Sequence, residues 1–204
     1  MDYVHTYPNT YIRYRASDMI LNVDSNTAYL VAPKARSCVA SYYQLTANPT
    51  KTPHPTINGA ILVECKTLWH VVSSAAEAET AAIFHNVQQA VPIRIILQAL
   101  DHQQPPTSVK TDKSTAQGFI QDNIHMKKSK SWDMRYHWLR DRQTQNQFQF
   151  YWKPSNQNYA DYFSKHHAIT HHRQLRPQYV HDKLNLLSQL IHQLQTQQLH
   201  YFKT

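Results

Sequence analysis

At 204 residues, 41% of them apolar, the chain is long enough for one domain with a real core plus extensions. Its formal charge is +8, from 21 Lys and Arg against 13 Asp and Glu, and the 14 His add to it below about pH 6.5; this suggests a polyanionic partner, unless the charge serves only solubility. No apolar run of roughly 18 residues and no signal-type apolar region is present, which argues against a membrane-spanning or secreted protein and for an intracellular one, in a cytoplasmic particle or the nucleus.

Residues 1–17, rich in Tyr and Arg without a clear period, read as a lead-in rather than a domain. Met19 to Val23 is a first strand and Val39 to Leu45 a second. Asn48 to Pro55 is a loop, and Asn58-Gly59 is a hairpin-type turn signal before a third strand, Ala60 to Cys65. Cys38 and Cys65 make no disulfide framework and read as reduced core residues. Ser74-Ala75-Ala76-Glu77 is a capping box that opens a helix near Ala75, running to about Gln88, with a second helical patch from Ile93 to Leu100. Ser108 to Thr111 is a short strand, and Ser114 to Gln117 caps a further helix. Ser131 to Gln143 is helical, Gln147 to Trp152 alternates as a last strand, and Asn158 caps a short helix that holds Asp161. Val180, Leu184, Leu187, Ile191 and Leu194 are spaced for an amphipathic helix. Two heptads are too few for a secure coiled coil, so a helix docked on the domain is preferred, with weak self-association through 180–198 as the other expectation. The order βββαβαβα gives a mixed five-stranded sheet with helices on both faces and a C-terminal helical extension. The expected division is 1–17 lead-in, 18–170 folded domain, 171–204 basic, Gln-rich helical tail.

With acids scarce, those at strand ends and helix starts are informative. Glu77 is explained by the capping box, whereas Glu79, on another helix face among Ala78, Ala81 and Ala82, is the better metal-ligand candidate. Asp112 follows a strand and precedes a capped helix, at the carboxyl end of a strand where open α/β sheets bind ligands. Asp161 sits in a first helical turn. Asp112 and Asp161 each have a plain alternative, the preference of acids for helix N-termini.

In order, the chain shows Asn26-Thr27-Ala28-Tyr29-Leu30 with Pro33, then Ser73-Ser74-Ala75-Ala76-Glu77-Ala78-Glu79, and Thr111-Asp112-Lys113-Ser114-Thr115-Ala116. Arg135-Tyr136-His137-Trp138-Leu139-Arg140 and Ala160-Asp161-Tyr162-Phe163-Ser164-Lys165 follow. This series resembles the ribonuclease H domain of copia-type LTR retrotransposon polyproteins, over residues 1 to about 182. Each motif alone is weak, and their order is specific. The resemblance implies a ribonuclease H-like fold, lead-in residues that match the end of the connection after reverse transcriptase, and a site at Asn26, Glu79, Asp112 and Asp161. Three departures stand out. Counting back from Pro33, the family's first catalytic Asp falls on Asn26; Lys113 replaces an Asn; Ser164 replaces a Thr.

The implied chemistry is endonucleolytic cleavage of RNA in RNA–DNA hybrids by carboxylates around two Mg²⁺ ions, roughly 3.5–4 Å apart, with Mn²⁺ as a substitute. Glu79, Asp112 and Asp161 would be the metal ligands. Asn26 offers an oxygen without a charge, so cleavage is expected to be impaired; the alternative is a catalytically inactive nucleic-acid-binding protein. Asp24, a candidate substitute, lies on the same strand face but about 6.8 Å away, against a tolerance on the order of 0.5 Å, so rescue needs a strand slip or bulge. Lys127, Lys128, Lys130, Arg135, Arg140 and Arg142 outnumber Asp133 and Asp141 and are the candidate phosphate contacts. The interleaved Trp132, Tyr136 and Trp138 are expected in the core. His166-His167 and His171-His172 lack zinc spacing with the cysteines.

Overall fold

The computed structural model describes residues 5–48, 57–112, 118 and 130–183. It divides into two compact units, residues 16–167 and residues 1–15 with 168–204. The larger unit holds a five-stranded sheet of β2 (Ile20–Ala32), β3 (Arg36–Thr46), β4 (Ala60–Thr67), β5 (Thr107–Thr111) and β6 (Phe148–Trp152). The spatial order is β4-β3-β2-β5-β6, with β2, β3 and β4 antiparallel and β5 and β6 joined in parallel to β2. The helices are α1 (Ala75–Ala99) and α2 (Lys130–Thr144). In the smaller unit β1 (Thr10–Tyr11) pairs antiparallel with β7 (His181–Asp182), α3 spans Ile169–Leu175, and the Arg176 guanidinium lies 4.4 Å from the Tyr7 ring centroid. Among the described residues no helix is long and apolar enough to cross a membrane.

Strand alternation sorts the sheet into two faces. One carries Leu21, Val23, Tyr43, Val109, Phe148 and Phe150, packed against Ile83, Val87, Ala90 and Leu97 of α1 and Leu139 of α2. The opposite face carries Asp24, Asn26 and Tyr42, covered by a 3-10 turn, Asp161–Phe163, and its neighbours; Phe163 stacks on Tyr42 at 6.0 Å and Tyr159 lies at 5.8 Å.

Several expectations need correction. α1 is one helix, not two patches. Its buried stripe Ile83, Val87, Ala90, Arg94, Leu97 keeps helical spacing across Pro92, and Pro92 and Gln88 are both exposed, so the carbonyl that Pro92 leaves without a donor can face water. Glu77 Oε2 accepts from the Ser73 N–H and hydroxyl, one residue before the Ser74 cap, while Ser74 Oγ accepts from the Glu77 N–H. Asn58-Gly59 is no primed hairpin turn: no glycine has positive φ, and the Gly59 N–H is taken by Asn58 Oδ1. Cys65 is exposed on the edge strand β4 and Cys38 is half-buried, so neither is a core thiol. The Asp161 helix is a single 3-10 turn, with Asn158 Oδ1 accepting from the Ala160 N–H. Val180 starts no helix, because His181 and Asp182 are extended in β7. The helix capped at Ser114 and the remainder of the 180–198 helix lie outside the described residues.

The scarcity of glycine has a structural counterpart. Met19, Leu30, Lys34, Ala35, Asp101 and Asn146 all take positive φ, where a Cβ crowds the backbone. Ala35, at φ 51° in the β2–β3 turn, has no polar side chain to compensate by a local hydrogen bond. Ala35→Gly is expected to stabilise the domain by about 1 kcal/mol, read as a raised urea midpoint with unchanged m-value.

Candidate active site

β2 and β5 run in parallel with Asp24 level with Lys110, so Asn26 and Asp112 each lie two residues further along. Asn26 is buried, and its side chain leaves β2 on the face away from α1. Its Nδ2 donates to Asp161 Oδ1 at 2.7 Å and to Ser164 Oγ at 3.0 Å. The Ser164 hydroxyl in turn donates to the Asp161 carbonyl at 2.9 Å. Lys165 Nζ sits 2.7 Å from the same Asp161 Oδ1, one helical turn on. Asn158 Nδ2 holds the Ser25 carbonyl at 2.8 Å and so ties this segment to β2.

Glu79 is wholly buried on the α1 face, where Ala78, Ala81 and Ala82 let the helix approach the sheet. Its Oε2 accepts from Thr111 Oγ1 at 3.4 Å, one residue before Asp112. Asp112 Oδ2 accepts from Ser155 Oγ at 2.5 Å, and the Asp112 carbonyl accepts from Trp152 Nε1 at 3.0 Å. The structure therefore joins Asn26 to Asp161 directly and sets Glu79 beside the end of β5, which carries Asp112. Among the described residues no three His, Cys, Asp or Glu side chains form a group able to hold a metal ion.

Asp24, the candidate substitute, stands in a charge cluster. It is fully buried, level with Tyr42 on β3, with Lys153 Nζ 3.6 Å from Oδ1 and Lys110 beside it. Burial pushes its carboxyl above the ordinary range, while Lys110 and Lys153 pull it back. Burial likewise lowers the Lys110 ammonium, opposed by Asp24. Lys153 lies 4.3 Å from the Tyr159 ring centroid. This charge cluster is invisible to motif reading, because Lys110, inside β5, and Lys153, just beyond β6, share no recognisable spacing with Asp24. β2 pairs with β3 in unbroken register from Ile20 to Ala28, and the irregularity falls beyond. Neither a slip nor a bulge brings Asp24 to the position of Asn26.

On α2 the basic side chains lie along aromatic rings. The Arg142 guanidinium is 4.9 Å from the Trp138 centroid and that of Arg140 is 5.4 Å from Tyr136. Arg135 lies 5.9 Å from Phe84 and 2.9 Å from His70 Nε2. Tyr136 is buried and Trp138 packs against the main core. Lys127 and Lys128 lie outside the described residues, as do Lys113 and the side chains of Lys130 and Trp132.

No protein-family model and no curated protein matches this chain. Among solved structures, the chain is similar to the N-terminal RNase H domain of a Mycobacterium tuberculosis protein, solved as a fusion with maltose binding protein. Identity is 12%, coverage 72% of this chain and 91% of that one, and the TM-score 0.50. A type 1 RNase H from Halobacterium salinarum gives 12% identity, 69% and 90% coverage and a TM-score of 0.44. A type 1 RNase H in complex with an RNA/DNA hybrid gives 8%, 69% and 88%, and 0.44. The fold is that of ribonuclease H.

Proposed function

We propose that the chain is the ribonuclease H-like domain of a copia-type retroelement, which engages RNA–DNA hybrids and whose metal-dependent cleavage is impaired at Asn26. The fold and the ordered motif series support the first part. One observation carries the second: the Asn26 amide donates to Asp161, at the position where the family places a carboxylate. A Mg²⁺ site needs oxygen acceptors turned towards the ion. Here Asp161 Oδ1 receives both an amide N–H and the Lys165 ammonium. Turning the amide to present its oxygen gives up both Nδ2 hydrogen bonds. The residues around Asp161 do not fit a two-ion centre in this arrangement.

Binding rests on different groups and outlives the loss of one carboxylate. Phosphates would be held by the basic residues of 125–143, and contacts to 2′-hydroxyls would distinguish the RNA strand. The aromatic rings beneath Arg140 and Arg142 limit the side-chain freedom lost on binding. Affinity for an RNA–DNA hybrid is expected to fall with salt on a logarithmic plot, and replacing Lys127, Lys128 and Lys130 together by Ala should weaken binding to all sequences alike and flatten the slope. Salt-independent affinity, or a triple variant identical to wild type, would remove the basic stretch from the interface.

A further inference from the structure

β4 closes one side of the sheet, and among the described residues no strand pairs with its outer edge. A strand edge offers unpaired N–H and C=O groups to any other strand, and proteins blunt it with proline, bulges or unmatched charge. β4 carries little of this protection. It contains no proline. Its pairing with β3 is regular from Leu62 to Thr67, and the irregularity falls at the Ala60 end. Val63 and Cys65 are exposed, and Val63 is level with Tyr42 on β3. Glu64 and Lys66, on the opposite face, form an ion pair, and His85 Nε2 of α1 lies 3.6 Å from Glu64 Oε2. The lysine of the strand is therefore offset by an acid two residues away.

These charges select a partner and a register. A two-fold axis at the edge sets β4 antiparallel to a second β4, and the position of the axis fixes which residues face each other. With the axis at Glu64 or at Lys66, like charges meet. With the axis at Cys65, Glu64 of each copy faces the partner's Lys66, and the two Cys65 stand opposite each other. At the remaining positions along β4 neither charge meets its opposite. Opposite charges facing across strands attract and like charges repel. About Cys65, each Glu64 lies between its own Lys66 and the partner's Lys66, so the four charges alternate.

We infer that β4 is a self-association edge, on which a second copy of this chain pairs antiparallel about Cys65. The axis is normal to the sheet, so the two sheets become continuous and both Asn26 faces lie on the same side. So short a seam falls below the roughly 1,200 Å² of stable complexes, which makes the dimer transient.

Sedimentation equilibrium in reductant, at protein concentrations reaching roughly 1 mM, should show wild type passing from monomer to dimer. Glu64→Lys and Lys66→Glu should each weaken the dimer roughly tenfold or more, because both facing pairs become like-charged. Their equimolar mixture should restore it, since each variant then meets the opposite charge. Circular dichroism verifies that both variants fold. A second readout leaves the charges alone. Of the two cysteines, Cys38→Ser leaves Cys65 as the only thiol, and oxidised glutathione should then join two chains through Cys65. Facing Cα atoms are about 4.5 or 5.5 Å apart in an antiparallel pair, within disulfide reach. The two thiols give up two protons and two electrons, and the reagent becomes two glutathione thiols. Wild type that stays monomeric overturns the inference. So do folded single variants that dimerise as wild type does, a mixture that stays monomeric, or oxidation that yields only monomer carrying glutathione.

Discussion

Asn26→Asp is expected to lower the melting temperature in a metal chelator by roughly 2–12 °C, and to regain stability on addition of Mn²⁺ or Mg²⁺. The amide N–H now bridges to Asp161 at 2.7 Å. An aspartate has no such donor and sets oxygen against oxygen at that distance. One carboxyl must then take a proton or move away. Loss of the buried hydrogen bond leaves its partners unsatisfied and costs about 1–3 kcal/mol. A divalent ion that binds only the folded variant offsets this by mass action. Wild type, with Lys165 already on Asp161, should show little response to the ions. A variant as stable as wild type in chelator, or an equal metal response in both proteins, would mean that Asn26 is not the altered ligand position.

Lys153→Met should have the second large effect. It removes the cation 3.6 Å from a carboxylate that is fully buried. Breaking a buried pair outright costs about 3–5 kcal/mol, and Lys110, which still faces Asp24, brings the expected loss below that. The pH dependence follows from the raised carboxyl of Asp24. Below the unfolded pKa Asp24 is protonated in both states and its burial has no charge cost. As pH rises through the window up to the folded pKa, the unfolded state loses its proton first and stability falls. The penalty of Lys153→Met should thus be small near pH 4 and larger at neutral pH. Adding Asp24→Asn should recover much of it, because the under-compensated charge is gone. Urea unfolding of the four proteins of this cycle at both pH values measures the coupling. Additive effects independent of pH would show that Lys153 acts through packing on Tyr159 alone.

Local signals carried most of the architecture. Alternation located β6, the Ser74 cap located the start of α1, and the Ala78, Ala81, Ala82 stripe placed Glu79 against the sheet. What the sequence hid were consequences of tertiary burial. The stripe of α1 overrides Pro92, which breaks an isolated helix but is tolerated where its face is wet. Gly59 follows a turn-forming Asn yet does not take positive φ, whereas the separate β2–β3 turn at Lys34 and Ala35 uses left-handed non-glycine residues. The site was legible as an ordered series, but Asn26 could be read only as a missing charge. That its amide is a donor to Asp161, seconded by Ser164 and Lys165, depends on side-chain placement across residues far apart in sequence. The Asp24 cluster was hidden for the same reason: its cations come from β5 and from beyond β6.

The most direct test of the account is a gel assay of end-labelled RNA–DNA hybrid with Mg²⁺ or Mn²⁺, using wild type and Asn26→Asp at concentrations where both bind. The account predicts weak or absent cleavage of the RNA strand by wild type and a clear gain in Asn26→Asp. Cleavage by wild type at an ordinary enzyme rate, unchanged by Asn26→Asp, would contradict it.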